Sequence, residues 1–231
     1  METKTAVVFD LDGTLLDTLD DLTDSVNYVI MQRGFRAVSR DEVRSFVGNG
    51  AKRLIERAMY SKDGNLDAQV ADPALAELCY SEFLVHYQDN NNIKTAPYDG
   101  IVDVLELLRK KGVPMAVVSN KPDDSVSTLC ECHFNRYLQI ARGEVAGRPR
   151  KPDPTVLLDV IKELGCDKAV YVGDSETDIR VAENAQLPSV LVTWGFRDRQ
   201  ALIDGGAKIL ADNSTELLEV LSKLLKIDFG E

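Results

Sequence analysis

The sequence predicts an α/β protein, a doubly wound parallel sheet with an inserted helical cap, and three observations carry that reading. Four short apolar runs, Thr5 to Phe9, Met115 to Val118, Ala169 to Val172 and Ser189 to Val192, lack polar alternation, as strands buried on both faces do. Stretches with helical periodicity separate those runs, which is the rhythm of a parallel sheet covered by helices. Between Asp17 and about Asn92 the rhythm stops, and helix follows helix.

Thr5 to Phe9 is β-branched, too short for a helix, and ends at Asp10. Leu16-Asp17 is the expected outgoing crossing into the insert, and Asp89-Asn90-Asn91-Asn92 the return. Inside the insert, Ser39-Arg40-Asp41-Glu42 is a capping box, and Asp72-Pro73 starts a further helix with proline at its first position. Gly112 and Gly165 each follow an apolar-periodic stretch, where a helix C-terminus expects glycine, and both lead into strands. The expected division is a core of residues 1–16 and 93–231 around a cap of residues 17–92.

The chain has 231 residues, with 27 Lys and Arg against 38 Asp and Glu, a formal charge of −11. That balance, without a long basic stripe, excludes a nucleic-acid backbone as the expected partner. No apolar run approaches the roughly 20 residues needed to cross a bilayer. The start, Met1-Glu2-Thr3-Lys4-Thr5, lacks the basic and apolar regions of a secretory leader, so a cytoplasmic location is expected, away from membranes. Cys79, Cys130, Cys132 and Cys166 are too few and too scattered for a disulfide framework and are expected as thiols.

In open α/β sheets ligands bind beyond the carboxyl ends of the strands. After the first strand stand Asp10-Leu11-Asp12-Gly13-Thr14, after the second Ser119-Asn120-Lys121, and after the third Gly173-Asp174-Ser175-Glu176-Thr177-Asp178. Lys151, in Arg148-Pro149-Arg150-Lys151-Pro152, precedes the helix leading into the third strand. If these ends converge, carboxylates crowd one pocket, which costs several kcal/mol unless a cation compensates. Oxygen ligands without Cys or His favour Mg²⁺, whose usual companions are substrate phosphate oxygens. A small phosphate monoester is then the expected substrate. Asp10 would attack phosphorus and form an aspartyl-phosphate, while Asp12 protonates the leaving oxygen and later takes a proton from water. Gly13 and Thr14 in the turn, with Ser119, the Asn120 amide and Lys151, would receive the phosphoryl oxygens.

These residues resemble the haloacid dehalogenase superfamily, and within it the phosphoglycolate phosphatase-like members. Asp10-Leu11-Asp12-Gly13-Thr14-Leu15 is similar to the first motif, Ser119-Asn120 to the second, Lys151-Pro152 to the third and Gly173-Asp174 through Asp178 to the fourth. The resemblance implies a Rossmann-like core with a mobile cap between the first two motifs. It implies Asp10 and Asp174 as side-chain Mg²⁺ ligands, the Asp12 carbonyl as another, and Asp178 in the outer shell. An aspartate rather than threonine at position 12 points away from the transport ATPases. An inorganic pyrophosphatase or a sugar phosphomutase of the same superfamily stays open beside the phosphatase, as does a non-enzymatic receiver-like domain with a phosphorylatable aspartate. Monomer and homodimer are both compatible with the sequence.

The insert holds one further candidate, Val47-Gly48-Asn49-Gly50-Ala51-Lys52-Arg53. A glycine-flanked turn entering a helix suits an anion, so Gly48, Asn49, Gly50 and Lys52 or Arg53 are expected to receive the substrate's non-phosphate end. An ordinary loop and helix cap is the alternative. His86 and His133 lack partners in the sequence pattern and are expected at the surface. Cys130-x-Cys132 lacks a second pair for zinc and reads as part of a helix.

Overall fold

The structure is a computed structural model and describes residues 4–61, 65–66 and 69–229. Met1 to Thr3, read above for a leader, lie outside the described residues. The chain runs β1 (Thr5–Phe9), β2 (Leu16–Asp17), α1 (Leu19–Met31), α2 (Arg40–Phe46), α3 (Ala51–Tyr60), α4 (Pro73–Asn90), β3 (Ala96–Pro97), α5 (Ile101–Lys110) and β4 (Met115–Pro122). It continues through α6 (Asp123–Phe134), β5 (Ile140–Glu144), α7 (Thr155–Glu163), β6 (Lys168–Gly173), α8 (Glu176–Asn184), β7 (Ser189–Val192), α9 (Arg199–Asp204), β8 (Leu210–Ala211) and α10 (Ser214–Leu225).

Six strands form one parallel sheet in the order β5-β4-β1-β6-β7-β8. The period-2 geometry of β1 divides its side chains between two cores. Val7 and Phe9 pack with α5, α6 and α10, whereas Ala6 and Val8 pack with α7 and α8. Covering both faces is what required the continuous apolar runs. Two sheet strands escaped the sequence pattern. Edge strand β5, IARGE, has one buried residue and otherwise half-buried ones, and β8 has only two residues. Strand β4 also extends past Val118 through Ser119, Asn120 and Lys121, which are buried.

Helices α1 to α4 share a separate core built on Val26, Ile30, Val43, Ile55 and Phe83, joined by Phe196 from the far side of the cavity. The capping box at Ser39 forms with both of its hydrogen bonds, and Asp72 accepts from the Leu75 amide with Pro73 at the first position. Where the chain leaves and re-enters the core, β2 and β3 pair antiparallel, Leu16 with Pro97 and Asp17 with Ala96. Both histidines are partly exposed and have neighbours: His86 stacks on Tyr28 at 3.9 Å, and His133 meets Asn92 Oδ1 at 2.7 Å. Cys130 and Cys132 lie on α6, the first buried and the second exposed. Among the described residues no helix is long and apolar enough to cross a membrane.

Asp21, buried on α1, ties the return crossing down. Its carboxylate accepts from the amides of Ile93 (3.0 Å), Lys94 (3.0 Å) and Thr95 (2.9 Å) and from Thr95 Oγ1 (2.8 Å). Hydrogen bonds to an ionised acceptor are the strong ones, and an amide in its place faces those donors with one oxygen. Asp21→Asn is expected to cost roughly 3 kcal/mol in urea unfolding. A loss below about 1 kcal/mol would show that this anchor contributes little.

Candidate active site

The carboxyl ends of β1, β4 and β6 open on one cavity, closed from above by residues of α1, α3 and α4. Asp10, Asp12, Ser119, Asn120, Lys121, Lys151, Asp174, Ser175 and Thr177 line its floor, and Leu22, Leu54, Phe83 and Tyr87 its roof. Parallel pairing explains the convergence: β1 lies between β4 and β6 in register, so residues just beyond each strand end are neighbours.

Lys151 is the ionic centre of the floor. Its Nζ stands 3.0 Å from Asp10 Oδ1, 2.8 Å from Asp178 Oδ1 and 3.0 Å from the Tyr171 hydroxyl, and its side chain is 3% exposed. Asp10 Oδ1 also accepts from the Leu11 amide at 2.7 Å. Asp178 is fully buried, and its Oδ2 accepts from the amides of Asp174 and Ser175 and from Ser175 Oγ. That last set caps α8, so Asp178 serves the helix and the site at once.

Oxygens of Asp10, Asp174 and Asp178 lie within 4.8 Å of one another. One ammonium does not balance three such charges. Burial first, then the charges of Asp178 and Asp12, push Asp10 up to about 6 in spite of Lys151. Asp174 is driven well above the usual carboxylate range by burial and then by Asp178 and Asp10, against the Phe196 amide bond and Arg197. Burial also opposes ionisation of Asp178, but Lys151, Ser175 and Tyr171 outweigh it and its net shift is downward. A buried, all-oxygen cluster short of positive charge fits a hard divalent cation. Asp10 and Asp174 have capacity left for one, whereas the oxygens of Asp178 are already spent on protein donors.

The sequence pattern of the haloacid dehalogenase-like hydrolases matches residues 7–192, from β1 to the end of β7. The chain belongs to that family. It is 34% identical to the phosphoglycolate phosphatase of Mesorhizobium japonicum, over 95% of this chain and 96% of that one. It is 36% identical to the phosphoglycolate phosphatase of Agrobacterium fabrum, over 83% of this chain and 81% of that one. A crystal structure from Lactobacillus delbrueckii subsp. bulgaricus superposes with a TM-score of 0.87 at 36% identity, covering 95% of this chain and 98% of that one.

Not every residue expected in this hydrolase site stands where the sequence suggested. Gly13 does not line the cavity. A Cβ there, at φ +78°, would lie 2.3 Å from Asp174 Oδ2, so its bareness makes room for the carboxylate rather than for a phosphoryl group. Thr14 is fully buried and is not among the residues that line the cavity, and its hydroxyl has no hydrogen-bond partner among the described residues. In the α3 segment Gly48 and Gly50 do reach the cavity, but Asn49 is exposed and off it. Lys52 pairs with Glu77 at 2.6 Å, and Arg53 with Glu56 at 3.0 Å and the Leu66 carbonyl. Helical spacing is the reason: Ala51, Leu54, Ile55 and Ala58 make the inward stripe of α3, leaving 52 and 53 on other faces.

Three residues were missed. Lys121, 2% exposed, bonds Asp12 Oδ1 at 2.9 Å and the Tyr87 hydroxyl of α4. Thr18 Oγ1 donates to the same Asp12 oxygen at 2.7 Å. Gly195, just past β7, lets the chain pass Asp174: a Cβ there would lie 2.4 Å from Asp174 Oδ2, and the next amide, of Phe196, donates to that oxygen at 2.6 Å. Arg197 then pins the loop through Glu176, the Arg44 carbonyl and the Val47 carbonyl. The signal existed, because Thr193-Trp194-Gly195-Phe196-Arg197 follows the fourth apolar run as the other site segments follow theirs.

Proposed function

We propose that this hydrolase is a Mg²⁺-dependent phosphatase for a small phosphate monoester, with 2-phosphoglycolate the first substrate. The observation that carries the reading is the Asp10-Lys151-Asp178 cluster beside Asp174 on the floor of a capped cavity, in a chain whose relatives are phosphoglycolate phosphatases. Asp10 and Asp174, with the Asp12 carbonyl, would hold the metal, and Asp178 would orient its surroundings through Lys151. When bound, Mg²⁺ neutralises the repulsion between the phosphate and the aspartates.

Asp10 attacks phosphorus, so that an Asp10 oxygen–phosphorus bond forms as the ester bond to the leaving oxygen breaks. Asp12 gives its proton to that oxygen, then takes one from the water that cleaves the aspartyl-phosphate, returning Asp10 and releasing phosphate. Ser119, the Asn120 backbone and Lys151 receive phosphoryl oxygens at the floor. The roof of residues 17–92 shuts bulk water out and limits substrate size, which fits a small metabolite. A mutase would return the phosphoryl group to substrate instead of to water, so sustained phosphate release separates the two readings.

The test is phosphate release across about a hundred phosphorylated metabolites, scored by kcat/KM with Mg²⁺ present. We expect 2-phosphoglycolate among the best substrates. Activity should vanish in EDTA and return with Mg²⁺; full turnover in chelator would overturn the metal-dependent reading.

A further inference from the structure

The cavity has three side-chain cations, and two of them are committed elsewhere. Lys151 is enclosed by Asp10, Asp178 and Tyr171. Arg197 spends its guanidinium on both oxygens of Glu176 and on the carbonyls of Arg44 and Val47. Lys121 differs, because its one carboxylate partner is Asp12, the candidate proton donor to the leaving group.

Tyr87 sits directly on Lys121. Its phenol oxygen accepts from the ammonium, so its own O–H must donate elsewhere. No acceptor for that proton exists among the described residues, although the residue is 1% exposed and lines the cavity. Burial and neighbouring Asp12 oppose loss of that proton, and Lys121 does not overcome them. Around the pair the roof is apolar, with Leu22, Leu54 and Phe83, so an anion reaching it finds its donors in Lys121 and Tyr87.

We propose that Lys121 and Tyr87 together form the subsite that receives a carboxylate on the substrate's leaving group, selecting α-phosphoryloxy carboxylates. The inference rests on the phosphatase reading above and replaces Arg53 as the group that reads the acidic end. Its geometry matches the chemistry. In such a substrate one carbon separates the ester oxygen from the carboxylate carbon, and Lys121 Nζ lies 2.9 Å from the Asp12 oxygen that would serve that ester oxygen. The ammonium supplies the charge, and the phenol supplies a neutral donor from α4. The subsite is therefore complete when roof and floor meet, so an acidic leaving group favours the closed cavity.

The experiment compares kcat/KM for 2-phosphoglycolate and for ethyl phosphate, in which a methyl group replaces the carboxylate. Wild type should prefer the acidic ester strongly. Tyr87→Phe keeps the ring and removes the hydroxyl, and should lower that preference about tenfold, mainly through KM. Lys121→Gln should lower it about a hundredfold; any misplacement of Asp12 slows both esters and cancels in the ratio. A ratio unchanged within about twofold in both variants would overturn the subsite while leaving the phosphatase reading in place. Wild type hydrolysing neither ester would overturn both.

Discussion

Asp10→Asn should lower kcat for phosphate ester hydrolysis by at least about 10⁴-fold while the chain still folds. The amide keeps the size of the carboxylate and an oxygen for the Leu11 amide, but it is not a nucleophile toward phosphorus. Stability offers an independent readout. With its carboxyl pushed to about 6 by burial and by Asp178 and Asp12, the native state holds this proton more tightly than the unfolded chain does. A raised carboxyl pKa means that native stability falls as pH rises from about 4 through 6, so at pH 7 ionised Asp10 works against the fold. The asparagine variant lacks that opposition and is expected to melt no lower than wild type in chelator. Residual activity above about 1% of wild type would remove Asp10 from the nucleophile's role.

Lys151→Met should have the largest combined effect, a loss of about 3–5 kcal/mol in chelator and of about 10³-fold in kcat/KM. Methionine nearly preserves the volume, so the effect isolates the charge. Without the ammonium, Asp10 and Asp178 face each other and Asp174 in a buried cluster with no other side-chain cation at hydrogen-bond distance among the described residues. Leaving a buried charge unpaired costs far more than an exposed ion pair contributes. Millimolar Mg²⁺ should recover part of the stability, because a divalent ion supplies positive charge to the same carboxylates. Urea unfolding with and without Mg²⁺ checks this. A variant as stable as wild type in chelator would mean that the ionic cluster does not hold the floor together.

Much of this architecture could be read directly from residue patterns. Thr5–Phe9 and Ser189–Val192 were bounded by the sequence as the strands are, because burial on both faces leaves no polar residue inside them. Local chemistry also sufficed at Ser39 with Glu42 and at Asp72-Pro73, where each cap is satisfied within one turn. Strand β5 was not readable, since an edge strand with half-buried residues carries no apolar run, and two-residue strands carry no period at all.

The same division runs through the site. That Asp10, Asp12, Ser119 and Asp174 would meet followed from the sequence, because a parallel sheet brings its strand ends to one edge whatever the side chains are, whereas Lys151 and the place of Asp178 were implied by the family resemblance. Which of their neighbours face the cavity did not follow, because it depends on how helices and loops from distant parts of the chain are seated. The phase of α3 on its core turns Lys52 and Arg53 away, and Thr14 is buried without lining the cavity. Docking α4 over β4 sets Tyr87 of residues 17–92 on Lys121 of the floor, a contact across 34 positions of sequence. Motif spacing determined which carboxylates and hydroxyls share the floor; the docking of roof on floor decided that Tyr87 meets Lys121 there, since burial and hydrogen bonding between them depend on contacts that no local pattern encodes.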